Sequence, residues 1–199
     1  SLLIENPLTK FVPQLFGEYP KPFLKLINNI SFSPDQDDQQ VTKALWKAYE
    51  FGLRYHDGQK RLSGKPYFSH CVAVASTLAS WKMDTTTIIA GLLHDTVEDT
   101  EATLDDIVKN FGDDLGNLVD GLTKISEISY SSRKEKQVGT FMKMLLSVAQ
   151  DMRVIIIKFA DRLHNMETIK HMPRIKRHRI AVETRDIYVP LAHRLGMST

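Results

Sequence analysis

Apolar residues recur every three or four positions along most of this chain, and this spacing limits the fold more than any other feature. Between positions 37 and 55 one such series would line a single face of a helix. Its members are Val41, Ala44, Leu45, Ala48, Phe51 and Tyr55. The apolar run at 154–157 could form a buried strand, but Phe159, Ala160 and Leu163 continue it at helical spacing. The sequence therefore predicts an all-α fold, with no internal repeat.

Turn-forming residues and helix caps divide these series into segments. Asp84 is a good N-cap for one helix, and Thr103 with Asp106 resembles a capping box that opens the next. Residues 58–66 are rich in cations and turn formers and predict a basic loop, and the polar residues 126–135 predict another. We predict helices at about 37–55, 67–81, 85–99, 137–150, 153–171 and 176–195. Another helix begins at 103, and the helical spacing continues at 115–125.

Proline content sets the amino-terminal segment apart from the rest. Five of the eight prolines lie within residues 1–35, which argues against long helices there, although the spacing allows a short one at 23–30. We interpret residues 1–35 as an N-terminal arm. Residues 36–175 then form one compact domain, and residues 176–199 a final helical segment.

The composition argues against several classes of protein. Cys71 is the only cysteine, so no internal disulfide can form and a reducing cytoplasm fits best. No apolar run approaches the ~20 residues that span a bilayer, so we expect no membrane association. A net charge of +2 is too small to indicate nucleic-acid binding. The basic residues at 170–179 are interpreted as a solvated helix face, with contact to a neighbouring domain or a phosphate as the alternative.

Four ionisable residues follow one another closely at the end of an otherwise apolar helix. They are His94, Asp95, Glu98 and Asp99. On a helix, His94 and Glu98 share one face and Asp95 and Asp99 the adjacent one, so one turn could hold a metal while the next supplies an acid or base. A helix end with satisfied local hydrogen bonds is the simpler alternative for this cluster taken alone.

Two further candidates lie on other apolar segments. His70 precedes an apolar series, where a lone imidazole would usually be a satisfied core histidine, and Asp161 follows the most hydrophobic run of the chain. Asp161 could pair with Arg162 or Arg54. Together with His94 and Asp95, however, these residues make a set of two histidines and two aspartates, which suits one divalent ion and leaves positions for water and substrate.

Five sequence blocks carry a more specific signal than any single residue. They are RLSGKPYFSH at 61–70, HDTVEDT at 94–100, DGLTK at 120–124, KFADRLHNM at 158–166 and YVPLAHRLG at 188–196. In this order they resemble blocks of the RelA/SpoT family, whose hydrolase domain is an all-helical bundle of the HD phosphohydrolase superfamily. The H…HD…D pattern is typical of that superfamily, and HD-x-x-E-D is the specific mark of the RelA/SpoT hydrolase site.

The resemblance implies a Mn²⁺ site and a catalytic pair. The implied metal ligands are His70, His94, Asp95 and Asp161. Glu98 and Asp99 would activate or orient the attacking water, in agreement with the chemistry of a carboxylate one turn from a metal. The implied reaction removes the 3′-pyrophosphate of guanosine tetra- or pentaphosphate, giving GDP or GTP and pyrophosphate.

The resemblance also implies the nucleotide contacts. Arg61 would lie against the guanine face, where a planar guanidinium can stack, and Ser63, Asn165 and Thr168 would lie near the nucleotide. Without the resemblance, Arg61 would be a solvated loop cation and Asn165 a helix-surface amide.

Three positions near these motifs depart from the family pattern. Leu62 stands where a lysine that helps to hold phosphate is common, and Lys65 replaces a usual glutamate. Cys71 replaces a usual proline and is interpreted as a small buried residue with no redox role.

In the family, a helical connector leads from the hydrolase domain to a synthetase domain, so residues 176–199 would begin that connector. The expected partners are a guanosine nucleotide and the synthetase and regulatory domains of a longer chain. Two alternatives are a non-catalytic regulatory module of a (p)ppGpp synthetase and an HD phosphohydrolase for another nucleotide. Loss of catalysis should remove metal ligands or the Glu98–Asp99 pair, and all six residues are present.

Overall fold

The computed structural model describes residues 19–32, 37–126 and 151–197, and these contain helices and no β-strand. In chain order the helices are α1 Lys21–Asn28, α2 Asp38–Tyr55, α3 Phe68–Ser80, α4 Thr85–Leu93, α5 Thr96–Asp99, α6 Leu104–Phe111, α7 Asp113–Ser126, α8 Met152–Glu167, α9 Arg174–Glu183 and α10 Val189–Arg194. A 3₁₀ turn at Ile169–His171 follows α8, and a π-helical turn at Thr184–Tyr188 joins α9 to α10. The predicted all-α fold is confirmed.

Helices α3 and α4 lie at the centre of the core. Helix α3 packs on α4, α8 and α1, and α4 also packs on α2 and α7. Leu78 of α3 and Leu92 and Leu93 of α4 are fully buried. Gly91 permits the close approach, because an added Cβ would lie 2.5 Å from Leu78 Cδ1. The two helices are antiparallel, so the first turn of α3 lies beside the end of α4.

The short helix predicted at 23–30 is present as α1. Its Phe23, Leu26 and Ile27 are buried in the same core as α3 and α4. The Phe23 ring meets Trp46 and Tyr49 of α2 edge to face, with ring centroids 4.9 and 5.3 Å apart. Part of the segment assigned to an arm therefore belongs to the packed core, and the boundary at residue 35 stays a prediction.

The predicted caps are confirmed. Asp84 accepts a hydrogen bond from the Thr87 backbone N–H at the start of α4, and Thr103 and Asp106 form a reciprocal capping box at α6. Gly112, with φ of +88°, separates α6 from α7 in a conformation that favours glycine.

The prediction of one continuous helix over 85–99 is wrong. Helix α4 ends at Leu93, and a separate turn, α5, begins at Thr96. The cause is local: the His94 ring donates its Nδ1–H to the Gly91 carbonyl at 2.9 Å. An uninterrupted helix would give this carbonyl to the Asp95 backbone N–H. The break places His94 and Asp95 between two helices.

The final helix predicted at 176–195 is present from Arg174 to Arg194, but it is not a regular α-helix throughout. The chain forms α9, then a π turn in which the Val189 N–H bonds to the Thr184 carbonyl, and then α10. Pro190 has no N–H for the regular ladder, which accounts for the widened turn. The helix predicted at 153–171 ends at Glu167. A 3₁₀ turn at Ile169–His171 follows it, before Pro173.

Two predictions fall largely outside the described residues. These are the loop at 126–135, of which only Ser126 is described, and the helix at 137–150. In the part of the chain that the structure describes, no helix is long and apolar enough to cross a membrane.

Candidate metal centre and adjoining cavity

Two imidazoles and two carboxylates meet where the start of α3, the α4–α5 junction and α8 come together. Nε2 of His70 lies 3.0 Å from Asp161 Oδ1 and 3.7 Å from Asp95 Oδ2. Nε2 of His94 lies 3.1 Å from Asp95 Oδ1 and 3.9 Å from Asp161 Oδ1. The structure thus brings together all four residues for which the sequence predicts metal binding. Asp161 contacts His70 and Asn165 rather than forming the ion pairs with Arg162 or Arg54 that were the alternative.

The donor set fits a divalent ion. His94 is fully buried, its Nδ1–H is held by the Gly91 carbonyl, and its Nε2 has no hydrogen-bond partner. A buried polar nitrogen without a partner is costly, whereas a lone pair aimed at two carboxylates is what a metal ligand requires. Ligand atoms of His70, His94 and Asp161 all lie within 4.8 Å of one another. Mixed imidazole and carboxylate ligands suit Mn²⁺, Zn²⁺ or Fe²⁺.

The charges in this cluster reinforce one another. Burial opposes the charge of the Asp95 carboxylate, but the neighbouring His94 ring outweighs burial and holds the pKa of Asp95 below its usual value. Burial likewise opposes charge on His94, and the Asp95 and Asp161 carboxylates overcome it and raise the pKa of His94 to about 9. Burial lowers the pKa of His70. The site therefore favours two carboxylates with a compensating positive charge.

Tyr67 joins the predicted ligands to the predicted catalytic pair. Its hydroxyl lies 2.8 Å from Asp95 Oδ2 and 2.7 Å from Asp99 Oδ2, so its one proton is shared between two carboxylates. Burial and these carboxylates raise the pKa of Tyr67, which keeps the phenol a donor. The motif that contains Tyr67 was noticed in the sequence, but the residue itself was not predicted to belong to the site.

A buried lysine approaches the other member of the catalytic pair. Lys158 of α8 is 6% exposed, and its Nζ lies 3.9 Å from Glu98 Oε1. Lys158 precedes Asp161 by three residues, so both lie on the side of α8 that faces the cluster. Sequence reasoning did not assign Lys158 to the site.

A cavity of about 510 Å³ lies beside the cluster, between the 58–66 loop and the end of α8. All four residues with a predicted role in substrate binding line it, together with other residues of the loop and of α8. These four are Arg61, Ser63, Asn165 and Thr168. Two backbone hydrogen bonds order the loop: the Arg61 N–H donates to the Lys65 carbonyl, and the Gly64 N–H donates to the Arg61 carbonyl. Gly64 has a φ of +80°, a conformation that favours glycine.

Arg61 connects the loop to α8 across the cavity. Its guanidinium donates to Asn165 Oδ1 at 2.9 Å, and Asn165 donates to Asp161 Oδ1 at 2.6 Å. The guanidinium also lies 5.4 Å from the centroid of the Tyr67 ring. Thr168 bonds to the backbone carbonyl of His164, and Leu62, which replaces a common lysine, is 64% exposed at the cavity edge.

His164 is a further residue that the sequence did not single out. Its Nδ1 lies 2.7 Å from Nδ1 of His70, and its ring lines the cavity. Burial, together with the nearby His70 and Arg61, lowers the pKa of His164 to about 4. The expected small buried residue at position 71 is confirmed, since Cys71 is fully buried.

Comparisons with known proteins agree with this architecture. Residues 48–198 match the HD domain family. The chain is 45% identical over 186 residues to a GTP pyrophosphokinase of Myxococcus xanthus, and 51% identical over 162 residues to one of Streptomyces antibioticus. These alignments cover 92% and 81% of this chain but only 24% and 19% of the relatives, so the chain spans about a quarter of their length or less.

A solved structure has the same fold. It is described as a metazoan ortholog of SpoT that hydrolyses ppGpp, and it superposes with a TM-score of 0.61 at 24% identity. The match covers 79% of this chain and 86% of the other. The chain therefore belongs to the HD domain family, within the RelA/SpoT group of proteins.

Proposed function

We propose that this domain hydrolyses the 3′-pyrophosphate of guanosine tetra- or pentaphosphate, with Mn²⁺ as its metal. The observation that carries the proposal is the convergence of three features at one end of the α3–α4 pair. These are the two-His, two-Asp cluster, the Glu98–Asp99 turn and the cavity lined by Arg61 and Asn165. The related structure is described as that of a protein that hydrolyses ppGpp.

Each group in this arrangement has a chemical role. His70, His94, Asp95 and Asp161 would hold the metal, which when bound supplies a Lewis acid that polarises phosphoryl oxygen and acidifies water. Glu98 takes the proton of the water that attacks the phosphorus next to the ribose. The bond from that phosphorus to the 3′-oxygen breaks, the proton taken by Glu98 passes to the 3′-oxygen, and pyrophosphate leaves. Asp99 is oriented by Tyr67 and directs the water.

The cavity supplies nucleotide binding. The Arg61 guanidinium can stack on a guanine while it stays charged near phosphate, and its bond to Asn165 fixes its plane. Ser63, Asn165 and Thr168 offer hydroxyl and amide groups to the base and sugar.

The test is incubation of guanosine tetraphosphate with the purified chain and Mn²⁺, with and without a chelator. We expect chelator-sensitive release of GDP and pyrophosphate, reduced at least about 100-fold in a Glu98→Gln, Asp99→Asn double variant. The matched control is Glu101→Gln with Asp105→Asn, two exposed acids nearby. A folded, metal-loaded protein that releases neither product contradicts the proposal. That outcome would favour a non-catalytic regulatory module. If the protein cleaves other nucleotides instead, it would favour an HD phosphohydrolase with another substrate.

The setting of the domain is also a proposal. The relatives are longer and are named GTP pyrophosphokinases. We infer that this domain works in the cytoplasm beside synthetase and regulatory domains of its parent chain, with residues 176–199 at the start of the connector.

A further inference from the structure

His164 lies between the candidate metal centre and the adjoining cavity. Its Nδ1 contacts Nδ1 of His70, and the rest of the ring lines the cavity with Arg61, Asn165 and Thr168. Among the described residues, this contact is the one hydrogen bond of the ring. Within the described ranges, Nε2 of His164 has no hydrogen-bond partner, and the side chain lines the cavity.

The short contact between the two rings restricts which nitrogens can carry protons. Two imidazole nitrogens 2.7 Å apart require one to donate and the other to accept. Nε2 of His70 faces the Asp95 and Asp161 carboxylates and must keep its lone pair free to bind a metal. With a metal on Nε2, the His70 proton would be on Nδ1, His164 would accept it at Nδ1, and the proton of His164 would be on Nε2.

We propose that His164 is a positioning residue that joins the two halves of the site. Its Nδ1 holds His70 in the tautomer that binds metal through Nε2, and its Nε2–H offers a donor to a phosphate or sugar oxygen of the nucleotide. This inference rests on the proposed function, since it takes the cluster as a metal centre and the cavity as a nucleotide pocket.

The two candidate imidazole ligands are held in parallel ways. The His94 Nδ1–H is fixed by the Gly91 carbonyl, and the His70 Nδ1–H by His164. An acceptor of this kind fixes the tautomer and the ring orientation of a metal ligand. A neutral imidazole differs from a carbonyl in one respect. When one of its nitrogens accepts a hydrogen bond, the other nitrogen carries a proton and can donate one.

A pair of substitutions separates the two roles. In His164→Asn the side-chain oxygen lies near the position of Nδ1, so the acceptor for His70 is kept and the far donor is lost. In His164→Gln the longer amide reaches the position of Nε2, so a donor is kept and the acceptor is lost. His164→Phe removes both, and His178→Asn, on the exposed face of α9, is the control.

Two binding measurements read the roles without turnover. In Mn²⁺ titration calorimetry of the nucleotide-free protein, we expect Gln and Phe at position 164 to weaken binding about 10- to 100-fold, and Asn to stay near the wild type. Guanosine tetraphosphate binding is measured with saturating Mn²⁺ in the Glu98→Gln, Asp99→Asn background. There, we expect Asn and Phe to weaken binding about tenfold and Gln to weaken it less. Helical circular dichroism verifies that each variant is folded.

The proposal is overturned if the Gln and Phe variants bind Mn²⁺ as the wild type does, or if the Asn variant binds the nucleotide unchanged. Neither measurement depends on hydrolysis. A protein that binds Mn²⁺ and guanosine tetraphosphate but cleaves nothing would contradict the proposed function and leave this test intact.

Discussion

The Tyr67 hydroxyl contacts two carboxylates that lie 28 and 32 residues further along the chain. Tyr67→Phe removes the donor shared by Asp95 and Asp99 and leaves the ring in place. We expect kcat/KM for guanosine tetraphosphate to fall about 10- to 100-fold, because supporting hydrogen bonds around metal ligands contribute that much. Tyr49→Phe, in the aromatic cluster outside the site, is the control. A change of less than twofold at Tyr67 would show that this hydroxyl has no part in the reaction.

Arg61 makes a second prediction at the residue scale. Lysine keeps the charge but loses the planar guanidinium that contacts Asn165 and Tyr67. We expect Arg61→Lys to raise KM roughly tenfold with a smaller effect on kcat, since a hydrogen bond and a stacking contact together contribute about 1–2 kcal/mol. Steady-state kinetics against Arg174→Lys, an exposed control on α9, measures this. An unchanged KM would place the nucleotide away from Arg61.

Residue types and motif spacing were sufficient to predict which side chains converge at the candidate metal centre. They were not sufficient for Tyr67, Lys158 and His164. Spacing places residues on faces of one helix, whereas these three join the site through contacts between helices, such as the 94-residue separation of His70 and His164. The available signal was that each stands inside a motif block already noted.

At the scale of elements, the helix breaks were the features that sequence periodicity missed. The apolar spacing of 85–99 is helical throughout, but a side chain, His94, takes the backbone carbonyl that would continue the ladder. Similarly, the π turn at Thr184–Tyr188 depends on Pro190 within a segment of otherwise helical spacing. The all-α class and the helix caps were predictable because they follow from apolar spacing and local chemistry.

The α3–α4 contact at Gly91 yields a prediction about stability. Gly91→Ala places a methyl group 2.5 Å from Leu78 Cδ1, so either the buried Leu78 side chain or the two helices must shift. We expect the free energy of unfolding, measured in urea, to fall by about 1–3 kcal/mol, as is typical of overpacking. Gly121→Ala, where the nearest side-chain atom is 3.1 Å away, is the milder control. If the clash with Leu78 is the cause, Leu78→Ala should cost less stability in the Gly91→Ala background than in the wild type. A neutral Gly91→Ala would contradict it.

At the scale of the whole molecule, the candidate ligands come from α3, the α4–α5 junction and α8, so the complete set exists only in the folded chain. Mn²⁺ at 100 times its dissociation constant should therefore stabilise the fold by about 2.7 kcal/mol. For a domain of this size we expect Tm to rise by about 5–10 °C. Thermal denaturation of chelated and Mn²⁺-loaded protein tests this, with Asp161→Asn as the variant that should lose the shift. Equal Tm values in the wild type would argue against a metal bound by this cluster.

The two imidazoles of the cluster differ in whether a substitution can remove the group that holds them. The group that holds His94 is the backbone carbonyl of residue 91, which every amino acid carries, so no change of side chain can delete it. The group that holds His70 is the side chain of His164, which a single codon change can remove. In a relative that is losing metal binding, substitution of the residue at position 164 would weaken the metal centre while all four ligand residues remain. Such a sequence would keep an intact HD motif and lack only the histidine at position 164.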